Sequence, residues 1–230
     1  MEKFNKDDIE IIYHDNNFVI AHKPDGMNFH SEEGAGFVVL TTQKLGVEQL
    51  YSVHRLDKMT SGLIILAKNS VVANLFTTMF ENRQIEKYYL AISLRKPKKK
   101  QGWIKADMTA SRRGSYKLTK TMDNPAITQF KSTSLRTHER LFIIKPHTGK
   151  THQIRVALKS IGAPIAGDIR YANADEAKEE DRGYLHAYVL KFVFKNENFT
   201  FIAKPNRGER FLSQMYHDTL EAYEKPWELF

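Results

Sequence analysis

The densest group of reactive side chains lies in the run from His54 to Gly62. It contains one carboxylate, Asp57, with a cation on either side and two hydroxyl groups after it. Neighbouring cations favour the ionised form of an aspartate, which can act as a nucleophile or as a base. A structural interpretation is also open, in which the carboxylate anchors the loop by accepting from the amides of Thr60 and Ser61.

A second polar run covers residues 147–155 and opens a helix predicted from Thr151 to Ile161. Helix N-termini attract anions, so this run is a candidate phosphate site. Its candidate ligands are Thr148, Gly149 and Lys150. His152 and Arg155 are three residues apart and are expected to share one helix face, from which Arg155 could reach a buried carboxylate. The alternative is a simple helix cap with a solvated arginine.

Positive charge is concentrated between Arg95 and Lys120. The chain of 230 residues has 35 basic and 27 acidic residues and a net charge of +8. This stretch has ten basic residues and one acidic residue, so it alone carries +9. Such a run is usually a solvated, mobile loop. The aromatic residues Trp103 and Tyr116 within it also allow a nucleic-acid interpretation, because phosphate neutralisation and base stacking commonly act together.

Several kinds of chemistry are excluded by what the sequence lacks. It has no cysteine, which excludes disulfides, thiolate nucleophiles and Cys-ligated metals. No H-E-x-x-H motif occurs, so a metal site is not expected. The sequence also has no P-loop, no complete dinucleotide-binding fingerprint and no G-x-S-x-G nucleophile elbow. No apolar run of about 18 residues or signal peptide is present, which predicts a soluble cytoplasmic protein. The hydrophobic content of 41% is typical of a folded globular chain. No sequence feature indicates an oligomer, so a monomer is the default expectation.

Hydrophobic periodicity and turn residues predict an α+β fold with a largely antiparallel sheet flanked by helices. The predicted strands are 9–13, 17–21, 62–67, 86–94, 127–135, 141–145, 185–194 and 199–203. The predicted helices are 37–45 before Gly46, one capped by Ser70 and carrying Val71, Leu75, Phe76 and Met79, then 151–161 and 209–223. The acidic residues of 175–181 are expected in an exposed loop. No linker divides residues 1–230, which predicts a single catalytic domain, with a bilobal form around a central cleft as one variant.

Several motifs, in order, resemble those of RluA-type RNA pseudouridine synthases. The run H-R-L-D-x-x-T-S-G at residues 54–62 is similar to the family signature. The other matching segments are Lys23-Pro24, Lys87-Tyr88-Tyr89-Leu90-Ala91, Thr148 to Arg155, Gly162 to Tyr171 (G-x-P-I-x-G-D-x-x-Y) and Leu185-His186-Ala187. Lys150 stands where the family usually has arginine, which keeps the charge and removes a bidentate contact. The chain before Ile9 is too short for the S4-like RNA-binding domain of many relatives.

The resemblance implies an isomerase that detaches uracil from ribose in RNA, turns it and rejoins it through carbon, with no cofactor or metal. It implies that Asp57 is the catalytic carboxylate, paired with Arg155 across the cleft, and that Tyr89 stacks on the uracil. Attack on the sugar, attack on the base and removal of a sugar proton all stay open for Asp57. The further substrate-binding candidates are Arg55, His54, Thr60, Lys150, His152, Ile154 and Leu185. From the fold alone, Tyr89 and Leu185 would be core residues.

The implied substrate is a uridine in ribosomal or transfer RNA, and a compact stem-loop is expected. The basic stretch is predicted to hold the RNA backbone. Its candidate residues are Lys98, Lys99, Lys100, Arg112 and Arg113. Two alternatives stay open: a non-catalytic RNA-binding or assembly factor with the same fold, and a metal-dependent nuclease. The nuclease is disfavoured because no acidic ligand cluster occurs in the sequence.

Overall fold

The computed structural model describes residues 4–32 and 34–230, which form two compact units. The first unit consists of the chain up to Glu86 together with Ala187–Lys204. The second consists of Lys87–His186 and Pro205–Phe230. The chain therefore crosses from one unit to the other three times, and each unit is built from two separate parts of the sequence.

The first part of the chain contains a hairpin, two helices and a buried strand. Its elements are β1 (Glu10–His14), β2 (Phe18–Lys23), α1 (Phe37–Leu45), β3 (Tyr51–Ser52), β4 (Ser61–Ala67) and α2 (Ser70–Glu81), after a 3₁₀ turn at Lys6–Asp8. The predicted hairpin is confirmed, since β1 and β2 pair antiparallel. Helix α1 has the predicted bounds because Gly46 adopts the left-handed conformation (φ 63°) that ends a helix.

The middle of the chain forms a sheet with a small ribbon beside it. Its strands are β5 (Glu86–Ser93), β6 (Gln101–Ala106), β7 (Met108–Ala110), β8 (Tyr116–Leu118), β9 (Ala126–Arg136) and β10 (Glu139–Pro146). Its helices are α3 (Gln153–Ser160) and α4 (Ala174–Lys178), with a 3₁₀ turn at Arg112–Gly114. The predicted strands over 86–94, 127–135 and 141–145 are thus confirmed. The remaining elements are β11 (Leu185–Phe194), β12 (Glu197–Ile202), α5 (Gln214–Leu220) and 3₁₀ turns at Glu221–Tyr223 and Pro226–Glu228.

Antiparallel pairing dominates both units, so the predicted α+β fold class is confirmed. In the first unit the strand order is β1-β2-β4-β11, with β12 beside β11 and β3 beside β4. In the second unit the order is β5-β10-β9-β6, and β7 pairs with β8 as a separate ribbon. The pairs β2–β4, β11–β12, β5–β10, β9–β10 and β6–β9 are all antiparallel.

Aromatic side chains fill the core of the first unit. Phe18 lies at its centre and contacts Phe76, Phe192 and Phe199 edge-on at centroid distances of 5.3–5.7 Å. Phe76 stacks on Phe194 at 5.0 Å. Edge-to-face and offset contacts between rings add to the burial of their apolar area. This core supports β4, whose seven residues are all buried.

The start of α2 corrects two parts of the prediction. The N-cap is Asn69, whose side chain accepts from the amide of Val72 at 2.9 Å, and not Ser70. The buried stripe is Val72 and Phe76, whereas Val71 is 68% and Leu75 is 45% exposed. The helix is thus capped one residue earlier than predicted, and Val72 faces the core in place of Val71 and Leu75.

Two predictions near the C-terminus need correction. The acidic run is exposed as predicted, except for the half-buried Glu180, but part of it is helical and not a loop, since it contains α4, capped by Asn173. Glu180 forms a two-bond salt bridge to Arg210 at 2.7 and 2.8 Å. Hydrogen bonding and the charge of Glu180 raise the pKa of Arg210 above its usual range. The terminal helix is shorter than predicted, because α5 covers only Gln214–Leu220 and then tightens into a 3₁₀ turn.

Candidate active site

Asp57 lies in a tight turn on the loop before β4. The amide of Thr60 donates to the main-chain oxygen of Asp57 at 3.0 Å, which closes the turn. The side chain of Asp57 is half-buried, while its neighbour Leu56 is buried and anchors the loop. Arg55 is exposed. The Thr60 amide therefore has a main-chain acceptor in this turn.

A buried lysine holds this loop from below. Lys23 is fully buried at the end of β2, and its ammonium donates to the main-chain oxygens of Pro24, Lys58 and Thr60 at 3.1, 3.2 and 2.9 Å. Three carbonyl acceptors match the three N–H donors of an ammonium group. From the sequence, Lys23 was only part of a motif and had no predicted role. Its one local signal is a lysine at the end of a strand that begins with four apolar residues.

His54 fixes the other end of the loop to β4. Its Nε2 atom accepts from the amide of Ile65 at 2.9 Å, and its ring packs on Phe80 at a centroid distance of 4.7 Å. An accepting Nε2 requires a ring that is not protonated at that nitrogen. His54 therefore has a positioning contact within the first unit, while its predicted contact with substrate stays a prediction.

The glycine that ends the motif is required by close backbone packing. Gly62 has φ +115°, a region that L-residues rarely adopt, and it faces the backbone of Ala187 on β11. An added Cβ atom would lie only 2.6 Å from the amide nitrogen of Ala187. Only a residue without a side chain allows this approach. Thr60 and Ser61 just before it are also buried.

In the second unit, Arg155 forms a buried ion pair with Asp168. Its Nε and Nη2 atoms donate to the two carboxylate oxygens of Asp168, each at 2.8 Å. Arg155 is 6% exposed and Asp168 is fully buried. Asp168 also accepts from the amides of Arg170 and Tyr171 at 3.0 and 3.2 Å. This fork fixes the guanidinium plane; the predicted pairing of Arg155 with Asp57 stays a prediction.

His152 does not share a helix face with Arg155, which corrects the prediction. Helix α3 begins at Gln153, and His152 precedes it in the left-handed conformation with φ 56°. Both residues nevertheless contact Tyr171. The Nδ1 atom of His152 lies 2.9 Å from the Tyr171 hydroxyl, and the Arg155 guanidinium lies 5.0 Å from the ring centroid. Burial raises the pKa of Tyr171, so its hydroxyl stays protonated.

In the predicted phosphate site before α3, two of the expected donors bond within the protein, and the site itself stays a prediction. Gln153 Oε1 accepts from the hydroxyl of Thr148 at 2.7 Å and from the amide of Lys150 at 3.0 Å. Gln153 Nε2 donates to Ile127 O and Thr128 Oγ1 at 3.1 and 3.0 Å. Gln153 thus ties the 148–150 loop to β9, a role that was not predicted from the sequence. The ammonium of Lys150 donates to the side chain of Asn124 at 2.9 Å.

Tyr89 is half-buried on β5, opposite Ile144 of β10. Tyr88 points to the other face of the sheet and is fully buried. Lys87 is on the same face as Tyr89, and burial lowers its pKa to about 8. The predicted apolar contacts of the site, Ile154 on α3 and Leu185 at the start of β11, are both buried in the second unit.

The basic stretch is folded, not a mobile loop. It supplies β6 at the edge of the sheet and the β7–β8 ribbon. The amide of Tyr116 donates to the Tyr171 hydroxyl at 2.8 Å, and the Arg170 side chain donates to the main-chain oxygen of Arg113. The ribbon is thereby attached beside α3. The five predicted RNA-backbone residues are all exposed: Lys98, Lys99, Lys100, Arg112 and Arg113.

Residues 4–32 and 34–230 contain no group of three or more potential metal-ligating side chains. None of the helices in the same residues has the length and hydropathy needed to span a membrane.

Comparison with known sequences gives a consistent result. Residues 17–160 match the family model described as RNA pseudouridylate synthase. The chain is 44% identical over 217 residues to an uncharacterized RNA pseudouridine synthase of Haemophilus influenzae, covering 94% of this chain and 96% of that protein. It is 35% identical to the ribosomal large subunit pseudouridine synthase C of Rickettsia bellii, covering 81% of this chain and 65% of that one. Synthase D of Borreliella burgdorferi is 31% identical, with 90% and 69% covered.

Solved structures share the fold. The human RNA pseudouridylate synthase domain containing 1 protein superposes with a TM-score of 0.74 at 21% identity, over 98% of both chains. The human domain containing 4 protein gives a TM-score of 0.69 at 24% identity, over 92% of this chain and 91% of that one.

Proposed function

The chain belongs to the RluA-type family of RNA pseudouridine synthases, which are isomerases, and from this premise we propose that it converts a specific uridine of ribosomal or transfer RNA to pseudouridine through Asp57. In this reaction the bond from N1 of uracil to C1′ of ribose breaks and a bond from C5 to C1′ forms. The proton at C5 is lost and N1 gains one, so the reaction is balanced without a co-reactant.

The observation that carries this proposal is how much of the first unit is used to position the Asp57 loop. Lys23 donates to two carbonyl oxygens of this loop, those of Lys58 and Thr60, and to that of Pro24. His54 bonds the loop to β4. Gly62 lets the strand after it approach the backbone of Ala187. A loop without a task that depends on geometry would not need a buried ammonium group. Precise placement is what a catalytic carboxylate requires.

The proposed role of Arg155 is that of a fixed cation. A carboxylate in a dry site is penalised in its charged form, and a nearby guanidinium offsets the penalty. Asp168 holds two donors of Arg155 in a fork, so the guanidinium cannot rotate freely. Tyr89 is proposed to stack on the uracil and to move the proton at C5. The candidate substrate contacts Arg55, Thr60, Lys150, His152, Ile154 and Leu185 belong to the same proposal.

Asp57→Asn is the direct test. The substitution keeps the size of the side chain and removes its charge, so we expect loss of isomerisation with the fold and RNA affinity retained. The assay is release of tritium from RNA transcripts labelled at C5 of uracil. Asp218→Asn is a matched control, since Asp218 is an exposed carboxylate on α5. Turnover by Asp57→Asn close to that of the wild type would refute the assignment.

The target RNA is proposed from the names of relatives, which include two synthases of the large ribosomal subunit. Mapping of pseudouridine across all stable RNAs, in cells with and without this chain, would identify the uridine. If no position changed and purified protein still bound RNA, the chain would be a non-catalytic RNA-binding factor. The proposal also includes a monomeric protein acting in the cytoplasm; the oligomeric state can be measured by light scattering.

A further inference from the structure

One face of the sheet in the second unit has a composition suited to nucleic acid. Residues directly opposite each other in antiparallel strands point to the same face. The register places Trp103 beside Gln129 and Gln129 beside Lys145. Residues two positions before or after these along each strand point to the same side and extend this surface, which we call the Trp103 face. Its members are Gln101, Trp103, Lys105, Ile127, Gln129, Lys131, Lys145 and His147.

Trp103 is the exposed centre of this face. It lies on β6 at the edge of the sheet and is 50% exposed, which is unusual for an indole. Its ring stacks on the imidazole of His147, with 4.8 Å between the ring centroids and 27° between the ring planes. The ammonium of Lys105 lies 4.7 Å from the indole centroid. The ring is therefore held in place on the surface and is not buried by the fold.

The Trp103 face is basic. Its eight members include three lysines, Lys105, Lys131 and Lys145, and no carboxylate. Part of the same side of the sheet is already covered by the C-terminal segment: Phe230 stacks on Tyr88 at 6.0 Å, and Tyr223 bonds to Thr133 at 2.6 Å. The fold therefore covers one part of this side and leaves the part around Trp103 open.

His147 connects the Trp103 face to the loop before α3. His147, which supports Trp103, directly precedes the 148–150 loop that Gln153 holds. His147 is itself fixed by Gln129, at 3.2 Å between Nε2 and Oε1. A ligand that stacks on Trp103 thus lies next to the loop that carries Lys150. Tyr89 is paired with Ile144 and points to the opposite face of the sheet from Lys145 and Trp103. The Trp103 face is therefore a contact surface apart from the position proposed for the uracil.

We propose that the Trp103 face binds an unpaired nucleotide of the RNA substrate, with its base stacked on the indole and its phosphates near the lysines. This inference rests on the proposed function and adds to it a second contact with single-stranded RNA. Base stacking on an aromatic side chain accepts any base, because every base has a π-face. Lys105 has a flexible side chain and can move from the indole to a phosphate when the base arrives.

Fluorescence provides the first test, because the chain has only two tryptophans. In Trp227→Phe the emission reports on Trp103 alone, and in Trp103→Phe it reports on Trp227 alone. The probes are a uridylate dodecamer and an RNA duplex of the same length. We expect the dodecamer to quench Trp103 emission, the duplex to quench it little, and Trp227 emission to change little with either.

Affinity and salt dependence provide the second test. Trp103→Ala should weaken binding of the dodecamer about tenfold and leave the slope of log K against log salt unchanged, since stacking releases no counterions. Lys105→Gln should instead reduce the magnitude of that negative slope by about 0.7, the value for one phosphate contact on a single strand. Val71→Ala is the control, since Val71 is an exposed apolar residue on α2 of the first unit.

Unchanged Trp103 emission during saturable binding of the dodecamer would overturn the proposal, as would equal affinity of Trp103→Ala and wild type. Emission that varied with protein concentration without RNA would mean that copies of the chain cover this face, which also contradicts the proposal. Tritium release measured on the same samples separates the two claims. If wild type isomerises uridine while Trp103 is silent, only the stacking site is wrong.

Discussion

Replacing Asp168 by asparagine is expected to destabilise the protein strongly, because it leaves the Arg155 charge without its carboxylate. The pair is buried on both sides, and Asp168 accepts four hydrogen bonds, two from Arg155 and two from main-chain amides. Asparagine keeps one accepting oxygen and presents an NH₂ group where the other oxygen was. The NH₂ group of asparagine then points at the N–H groups of either the guanidinium or the main-chain amides, and two donors face each other.

The magnitude follows from burial. Removal of one partner of a buried ion pair costs about 3–5 kcal/mol. For a protein of this size each kcal/mol lowers the melting temperature by about 2–4 °C, so Asp168→Asn should lower it by roughly 6–20 °C. The exposed pair of Arg95 and Glu176 is the matched control, with 55% and 49% of the side chains accessible. Glu176→Gln should change stability by about 1 kcal/mol or less.

Calorimetry and urea unfolding at pH 7 would measure both variants. A double variant, Arg155→Met with Asp168→Leu, adds a second check: removing both charges avoids the unpaired ion, so it should be more stable than Asp168→Asn. Tritium release below the lowered melting temperature should also fall in Asp168→Asn, since the proposed cation loses its orientation. If Asp168→Asn were as stable as Glu176→Gln, the reasoning from burial would be wrong.

Three further predictions concern the loop, the glycine and a lysine. Lys23→Met should lower both the melting temperature and tritium release, because three carbonyl oxygens lose their donor. Gly62→Ala should prevent stable folding through its clash with Ala187, whereas Gly46→Ala, with open space around it, should cost only about 1 kcal/mol; soluble yield and urea midpoints compare them. The pKa of Lys87 is about 8 when folded and 10.5 otherwise, so the folded state binds fewer protons between these values. Stability against urea should therefore rise from pH 8 to 10 in the wild type and less in Lys87→Met, and parallel curves for the two proteins would contradict the assignment.

Elements with a local signal were predictable from sequence. The left-handed Gly46 ends α1 at the expected residue, and the alternating residues of β9 and β10 give their pairing. The apolar run of β4 indicated a strand buried on both faces. In each case the periodicity or the turn residue acts within a few positions along the chain, which is the range that a single sequence shows.

Features that depend on distant partners were not predictable. Asp168 lies 13 residues from Arg155, and nothing local indicates that the two form a buried fork. Nor does any local pattern give Lys23 its carbonyl partners 35 and 37 positions away. The start of α3 was misplaced because His152 adopts a left-handed conformation that its residue type does not demand. The catalytic roles came from the family resemblance, since the residues alone left Asp57 with two interpretations.

The division of the chain has a consequence for synthesis on the ribosome. Strand β4 pairs with β11, and about 120 residues separate Ala67 from Ala187. At roughly 5–20 residues per second, translation needs about 6–24 s to supply that partner. During this interval one edge of an apolar strand in the nascent chain has no neighbour from its own unit. Slower codons between the two strands should therefore increase the demand for chaperones, and fragments that stop before residue 187 should aggregate.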